Sequence, residues 1–141
     1  MDRGSILRVW LPLLAGLWGL GWAYLYGPGP HDGLRSIGAA LGLTGLAGVI
    51  LARYTLGCSF SVTAKARALV TTGIYARIRN PIYVSSSVFV AGIFLIVRQP
   101  RLWLVLAAII VMQIVRARNE ARVLEAGFGD AYREYRRHTW L

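Results

Sequence analysis

Two short polar clusters interrupt a sequence that is otherwise dominated by apolar residues. The first comprises Tyr75, Arg77, Arg79, Asn80 and Tyr83, and the second comprises Arg116, Arg118, Asn119, Glu120 and Arg122. A carboxylate can accept hydrogen bonds from a diol or an amino group, and an arginine fork can hold an anionic group. A tyrosine face can receive a cation in a contact worth about 0.5–2 kcal/mol. Together these side chains suit a pocket in which a polar cofactor meets an amphiphilic substrate.

The composition indicates which elements must position these residues. The chain of 141 residues forms a single domain, with 56% hydrophobic residues, 16% charged residues and a net charge of +10. Soluble domains carry about 25% charged residues. A strongly basic chain often binds nucleic acid, but the apolar excess favours a small membrane protein and no nucleic-acid partner. The single Cys58 and the widely separated His31 and His138 argue against a metal site.

Four apolar segments are long enough to predict membrane-spanning helices, at residues 9–26, 36–52, 81–97 and 102–115. A span needs about 17–25 mostly apolar residues. The first three meet this requirement, and the first is expected to be a retained helix rather than a cleaved signal peptide. The fourth is shorter, but the long side chains of its flanking arginines can reach the interfaces. The alternative for the fourth segment is a buried core helix.

The charges predict how these helices are oriented. Of the 16 basic residues, only Arg35, Arg98 and Arg101 fall on one side of the four predicted spans. The positive-inside rule therefore places both termini in the cytoplasm. The excess of arginine over lysine, with abundant alanine and glycine, indicates a bacterial protein and hence the inner membrane.

The connections predict where the two polar clusters lie. Residues 98–101 form a tight turn, which makes the third and fourth spans antiparallel neighbours and brings both clusters to the same membrane depth. Residues 53–80 form an apolar connection expected along the interface. The tail has a helical stripe that predicts an amphipathic helix, with a break expected at residues 127–129. We therefore expect residues 1–52 to form two N-terminal spans and residues 53–141 to form the site.

The same residues carry a family resemblance. Residues 73–83, GIYARIRNPIY, resemble the G-x-Y-x-x-x-R-[HN]-P-x-Y signature of the isoprenylcysteine carboxyl methyltransferases and the related phospholipid methyltransferases. Residues 120–135 resemble the E-E…F-G-x-x-Y-x-x-Y ending of those integral membrane enzymes. Two departures are Asn80, where many members have histidine, and Ala121, which replaces the second glutamate.

The resemblance implies an S-adenosylmethionine site and assigns residues to it. Arg116, one helical turn before Glu120, is expected to face the methyl acceptor as the catalytic arginine. The residues expected to bind the cofactor are Arg67, Ala68, Leu69, Val70, Tyr75, Arg79, Asn80, Pro81, Ile82, Tyr83 and Glu120. No metal is required. Tyr132 and Tyr135 are expected to be interfacial anchors, and Gly42, Gly45 and Gly48 are expected to permit close helix packing.

These observations predict methyl transfer from S-adenosylmethionine to a membrane-embedded lipid or prenylcysteine-like acceptor. Carboxyl O-methylation is the first choice, because Arg116 suits an anionic acceptor and no base is evident. The alternatives are phospholipid N-methylation, a nicotinamide-dependent sterol reductase, and a non-catalytic membrane scaffold or small transporter.

Overall fold

The structure, a computed structural model, describes the backbone of residues 3–56 and 71–140 and the side chains of residues 11–55 and 71–140. These segments consist of helices joined by short turns, with one isolated pairing of Ile78 with Trp140. In chain order the elements are α1 (Arg3–Tyr26), α2 (Gly33–Leu56), a short 3-10 helix (Gly73–Ala76), α3 (Pro81–Val97), α4 (Pro100–Phe128) and α5 (Asp130–His138). The prediction of an all-α protein is therefore confirmed for the described residues.

Local sequence explains where the helices after residue 76 begin and end. Pro81 and Pro100 occupy the first turns of α3 and α4, where the missing N–H of proline costs nothing. Arg98, with φ 57°, ends α3 in the left-handed region, and Gly129, with φ 51°, separates α4 from α5. The predicted hairpin turn at residues 98–101 and the break at residues 127–129 are both confirmed.

The boundary predicted after the second span is wrong by four residues. α2 continues through Arg53 to Leu56, so residues 53–56 belong to this helix and not to the predicted connection. The Thr55 hydroxyl donates a hydrogen bond to the Leu51 carbonyl at 2.9 Å, and Arg53 lies in the last turn, where a cation interacts favourably with the helix dipole. The helix therefore extends beyond the apolar segment, because Arg53 and Thr55 are polar residues that are compatible with a helix end.

Each of the four predicted apolar segments lies within a helix. Two helical stretches, Gly33–Thr55 and Pro100–Phe128, are long and apolar enough to cross a membrane, whereas Leu11–Tyr26 and Pro81–Val97 are apolar but shorter. Large apolar side chains are exposed on the outside of the bundle, including Trp18 at 72% and Leu104 at 75%. An apolar surface of this extent is typical of contact with lipid. The structure thus gives an all-helical fold with two candidate spans.

α2 and α3 form the most extensive helix pair, and glycine makes their close approach possible. A Cβ atom built on Gly45 would lie 2.4 Å from the Phe89 backbone nitrogen. Gly48 approaches the Ser85 side chain, while Gly42 approaches Leu20 of α1. The prediction that these three glycines permit close packing is confirmed.

We expect Gly45→Ala to destabilise the protein strongly, because the new methyl group meets α3 backbone that cannot move aside alone. Gly19→Ala is the matched control, since a Cβ at Gly19 has no neighbour within 4 Å. Overpacking of this kind costs about 1–3 kcal/mol. Thermal unfolding in detergent should show a clear decrease in Tm for Gly45→Ala and no decrease for Gly19→Ala. Equal melting temperatures for the two variants would contradict the close α2–α3 contact.

Buried and paired charges connect the helices at the end where α1 and α3 terminate. Arg35 is only 1% exposed, and its guanidinium donates a hydrogen bond to the Gly27 carbonyl just beyond α1. A cation at this position complements the dipole of α1. Asp32 forms an ion pair with Arg98 at the end of α3, and the hydrogen bond from Arg98 lowers the pKa of the Asp32 carboxyl. These contacts fix the ends of α1, α2 and α3 relative to one another.

Candidate active site

The two polar clusters meet at the end of the α3–α4 hairpin that lies away from its turn. Tyr83, in the first turn of α3, donates a hydrogen bond from its hydroxyl to Oε1 of Glu120 in α4, at 2.5 Å. The guanidinium of Arg116 interacts with the same hydroxyl. The predicted convergence of the clusters is therefore observed between residues that are 37 positions apart in sequence.

The start of α3 and the length of α4 position these three side chains. The Asn80 carbonyl accepts hydrogen bonds from the backbone N–H groups of Tyr83 and Val84 at 3.1 and 3.2 Å, so the first turn of α3 is formed where Tyr83 projects. α4 continues without a break past the apolar segment to Phe128. Arg116 and Glu120 consequently lie one turn apart on one helix face.

Tyr75 of the 3-10 helix forms a second part of the site. It is 8% exposed and close enough to Glu120 and Tyr83 to interact electrostatically with both. Its carbonyl accepts a hydrogen bond from the Tyr135 hydroxyl at 2.8 Å. Burial is the main reason why the pKa of Tyr75 is raised. The buried ring is therefore a neutral aromatic group beside the single carboxylate.

α5 and the residues after it pack against the 3-10 helix and the segment that leads into α3. Tyr132 is 1% exposed and packs beside Tyr135, with their ring centroids 6.2 Å apart. The Trp140 N–H donates to the Arg77 carbonyl at 2.8 Å, and the Arg79 N–H donates to the Trp140 carbonyl at 3.0 Å. The predicted role of Tyr132 as an interfacial anchor is wrong, because its ring is enclosed by the protein instead of facing the membrane surface.

The remaining predicted site residues fall into two groups. Pro81 is buried at the start of α3, while Arg79, Asn80 and Ile82 are partly buried around it. Arg79 is close enough to Tyr132 and Tyr135 to interact with both rings electrostatically. The predicted cofactor segment formed by Arg67, Ala68, Leu69 and Val70 lies outside the described residues.

A hydrogen-bonded group that the sequence analysis did not identify lies one turn further along the hairpin. The Ser87 hydroxyl donates to Oε1 of Gln113 at 2.8 Å, and Nε2 of Gln113 donates to the Ser86 hydroxyl at 3.1 Å. Ser86 in turn donates to the Tyr83 carbonyl at 3.0 Å. The available sequence signal was a lone amide in an apolar helix, three positions before Arg116.

The chemistry available at this site is binding and orientation. Around Tyr83 it contains the Glu120 carboxylate, the Arg116 guanidinium and the phenol of Tyr75. Within residues 3–56 and 71–140, no three His, Cys, Asp or Glu side chains come together as a potential metal site. The arrangement can hold a cation near aromatic rings and an anion near Arg116.

The raised pKa of Tyr75 predicts how stability depends on alkaline pH. A tyrosine in the unfolded chain ionises near pH 10, whereas Tyr75 in the folded protein holds its proton to higher pH. Its contribution to stability is thus complete below about pH 10 and is lost as the pH rises through the folded pKa.

We expect the Tm of the wild type to decrease more steeply between about pH 9 and pH 11 than that of Tyr75→Phe, which cannot ionise in either state. Tyr54→Phe is the control, because Tyr54 is 86% exposed, and it should keep the wild-type slope. A Tyr75→Phe profile as steep as that of the wild type would show that another group causes the alkaline loss.

Comparison with known proteins identifies a family for most of the chain. No curated protein matches the sequence significantly. The model of the family described as Phospholipid methyltransferase (PEMT) matches residues 34–131, which is more than half of the 141 residues. The match includes all of α2 but its first residue and the whole of α3 and α4. By this match, the chain belongs to the phospholipid methyltransferase family.

Proposed function

We propose that the protein transfers a methyl group from S-adenosylmethionine to a lipid or prenylcysteine-like acceptor, with carboxyl O-methylation as the reaction. Membership of the family implies a methyltransferase. The observation that carries the proposal is the contact of Tyr83 with both Glu120 and Arg116. Through this contact Glu120, which is expected to bind the cofactor, lies next to Arg116, which is expected to face the acceptor.

The described residues fit S-adenosylmethionine, which supplies a methyl group on a cationic sulfonium. The Glu120 carboxylate has acceptor capacity beyond its bond to Tyr83 for a ribose hydroxyl or an amino group. The rings of Tyr75 and Tyr83 lie close to this carboxylate, where aromatic faces favour a cation. We propose that Arg79, Asn80, Pro81 and Ile82, together with residues 67–70, complete the cofactor site.

Arg116 is the proposed contact for the acceptor. Its side chain is exposed and shares a helix face with Glu120, and a guanidinium can hold a carboxylate through two parallel hydrogen bonds. A carboxylate is already ionised at neutral pH, so the reaction requires alignment and exclusion of water more than proton transfer. Alignment alone can contribute about 7–11 kcal/mol to lowering the barrier.

An integral membrane position follows from this proposal. We infer that all four long helices cross the bilayer, that both termini are cytoplasmic, and that the membrane is the bacterial inner membrane. α1 and α4 carry large exposed apolar side chains, and the basic residues around Arg116 lie at one end of the hairpin. The exposed apolar face of α4 would let a lipid acceptor reach Arg116 laterally.

Phospholipid N-methylation is the second candidate, and membership of the phospholipid methyltransferase family favours it. In this case Arg116 would hold the lipid phosphate, which it can also bind with a fork geometry. An amine acceptor has to lose a proton before or during methyl transfer. Asn80 cannot accept that proton as a histidine would, which makes the carboxylate reaction the first candidate.

The test is methyl transfer by the purified full-length protein in detergent or vesicles, with radiolabelled S-adenosylmethionine. A farnesylated cysteine analogue and phosphatidylethanolamine are offered separately, and S-adenosylhomocysteine binding is measured by calorimetry. Labelling of the cysteine analogue supports O-methylation, while labelling of phosphatidylethanolamine alone would replace it with N-methylation. Failure to bind S-adenosylhomocysteine would overturn the methyltransferase assignment, and preferential binding of NADPH would favour a reductase.

A further inference from the structure

Gln113, Ser86 and Ser87 form a group of side-chain hydrogen bonds between the apolar parts of α3 and α4. We call it the amide clasp. Both ends of the Gln113 side chain are used, because its oxygen accepts from Ser87 and its nitrogen donates to Ser86. An unpaired amide in an apolar environment is costly, so each of these bonds favours one alignment of the two helices.

Apart from the clasp and the Tyr83–Glu120 bond, the described contacts of α4 do little to fix its rotation against α3. Only 6% of the residues in its apolar stretch are buried inside the protein, and Leu106 is its buried residue. Large side chains on its other faces, such as Leu104, Val111 and Met112, are exposed. Apolar contacts of this kind tolerate sliding and rotation, whereas a paired amide specifies one geometry.

The clasp lies directly beneath the proposed active site. Gln113, Arg116 and Glu120 are spaced by three and four residues, so they form one stripe along α4. Tyr83, Ser86 and Ser87 form the corresponding stripe on α3, and Ser86 also bonds to the Tyr83 carbonyl. The clasp and the Tyr83–Glu120 bond are therefore successive contacts between the same two helix faces.

We infer that Gln113 is a positioning residue that holds α4 in the rotation and register in which Arg116 and Glu120 meet Tyr83. This inference rests on the proposed function for its effect on catalysis. Gln113 acts through the position of the helix and is not required to touch the cofactor or the acceptor. Removing the clasp should leave α4 folded while loosening the contact one turn away.

Gln113→Leu tests this inference, because leucine fills a similar space without hydrogen bonding. Gln99→Leu is the matched control. It makes the same chemical change at the start of α4, where the Gln99 side chain forms no capping hydrogen bond. We expect Gln113→Leu to weaken S-adenosylhomocysteine binding by about threefold to tenfold, the range of single interhelical hydrogen bonds in membranes. Gln99→Leu should bind like the wild type, and wild-type affinity of Gln113→Leu would overturn the inference.

A double-mutant cycle separates positioning from general stability. If Gln113 acts through the Tyr83–Glu120 contact, Gln113→Leu should cause little further loss of binding in a Tyr83→Phe background. Fully additive losses would overturn the inference, because a merely structural effect would persist without the Tyr83 hydroxyl.

A distance measurement distinguishes failure of the inference from failure of the proposed function. Spin labels are attached to cysteines at the exposed positions Ala76 and Arg122, with Cys58 replaced by serine. We expect a broader distance distribution in Gln113→Leu than in Gln99→Leu, and identical distributions would overturn the inference. If the wild type does not bind S-adenosylhomocysteine, the proposed function fails, and this measurement alone still decides whether Gln113 holds α4 in position.

Discussion

Replacing Glu120 with alanine is expected to weaken the binding of S-adenosylhomocysteine by about tenfold to a hundredfold, the range for losing hydrogen bonds to a charged group. Glu120 is the carboxylate that bonds to the Tyr83 hydroxyl, and it also lies close to Tyr75. Alanine removes the proposed acceptor for the cofactor and the partner of Tyr83 together. Calorimetry on the detergent-solubilised protein measures the loss.

Two further variants make this prediction specific. Glu125→Ala removes a carboxylate from the same helix, but that carboxylate forms a surface ion pair with Arg133 at 3.1 Å, so it should bind S-adenosylhomocysteine like the wild type. Glu120→Gln still accepts the bond from Tyr83 but has no charge, and it should have an intermediate affinity. Wild-type affinity of Glu120→Ala, with an unchanged Tm, would remove Glu120 from the cofactor site.

The part of the site formed by α3 and α4 could be predicted because its determinants are local. The tight turn at residues 98–101 makes the two helices antiparallel, and their apolar lengths bring the following polar residues to the same depth. Pro81 and Pro100 mark where the helices begin. Antiparallel geometry alone then places the cluster around Tyr83 opposite the cluster around Glu120.

The part formed by α5 could not be predicted in this way. The amphipathic pattern of the tail was visible, but an apolar stripe next to a membrane is satisfied equally well by lipid and by protein. Only the tertiary fold determines that Tyr132 is enclosed and that Trp140 pairs with Ile78, 62 positions earlier in the chain. Such pairing has no local sequence signature, since it depends on where two distant segments meet.

The amide clasp illustrates a related limit. Gln113 is recognisable in the sequence as an intramembrane polar residue, which usually has a partner or a function. Its partners are two of three consecutive serines in α3, and their choice depends on the relative rotation of the helices. The pattern of apolar segments predicts how deep each residue lies in the membrane, but it does not predict the relative rotation of the two helices.

Arg116→Ala is the variant for which we expect the largest loss of turnover. The side chain is exposed beside Tyr83 and Glu120, so an acceptor carboxylate can approach it without displacing protein. Losing one partner of a charged, hydrogen-bonded pair costs about 2–5 kcal/mol when the pair is shielded from water. We therefore expect kcat/KM for the farnesylated cysteine analogue to decrease by at least about thirtyfold.

Comparing the loss of kcat/KM with the loss of S-adenosylhomocysteine affinity in Arg116→Ala tests the role of Arg116. If Arg116 binds the acceptor, Arg116→Ala should change the affinity for S-adenosylhomocysteine by less than about threefold while kcat/KM decreases steeply. Arg116→Lys should restore part of the activity, because lysine keeps the positive charge but lacks the fork of the guanidinium. Arg118→Ala is the matched control, because it removes an exposed arginine two positions away on a different face of α4. Equal losses of cofactor binding and turnover in Arg116→Ala would assign Arg116 to the cofactor instead. A full loss with phosphatidylethanolamine, but none with the cysteine analogue, would assign the guanidinium to a lipid phosphate.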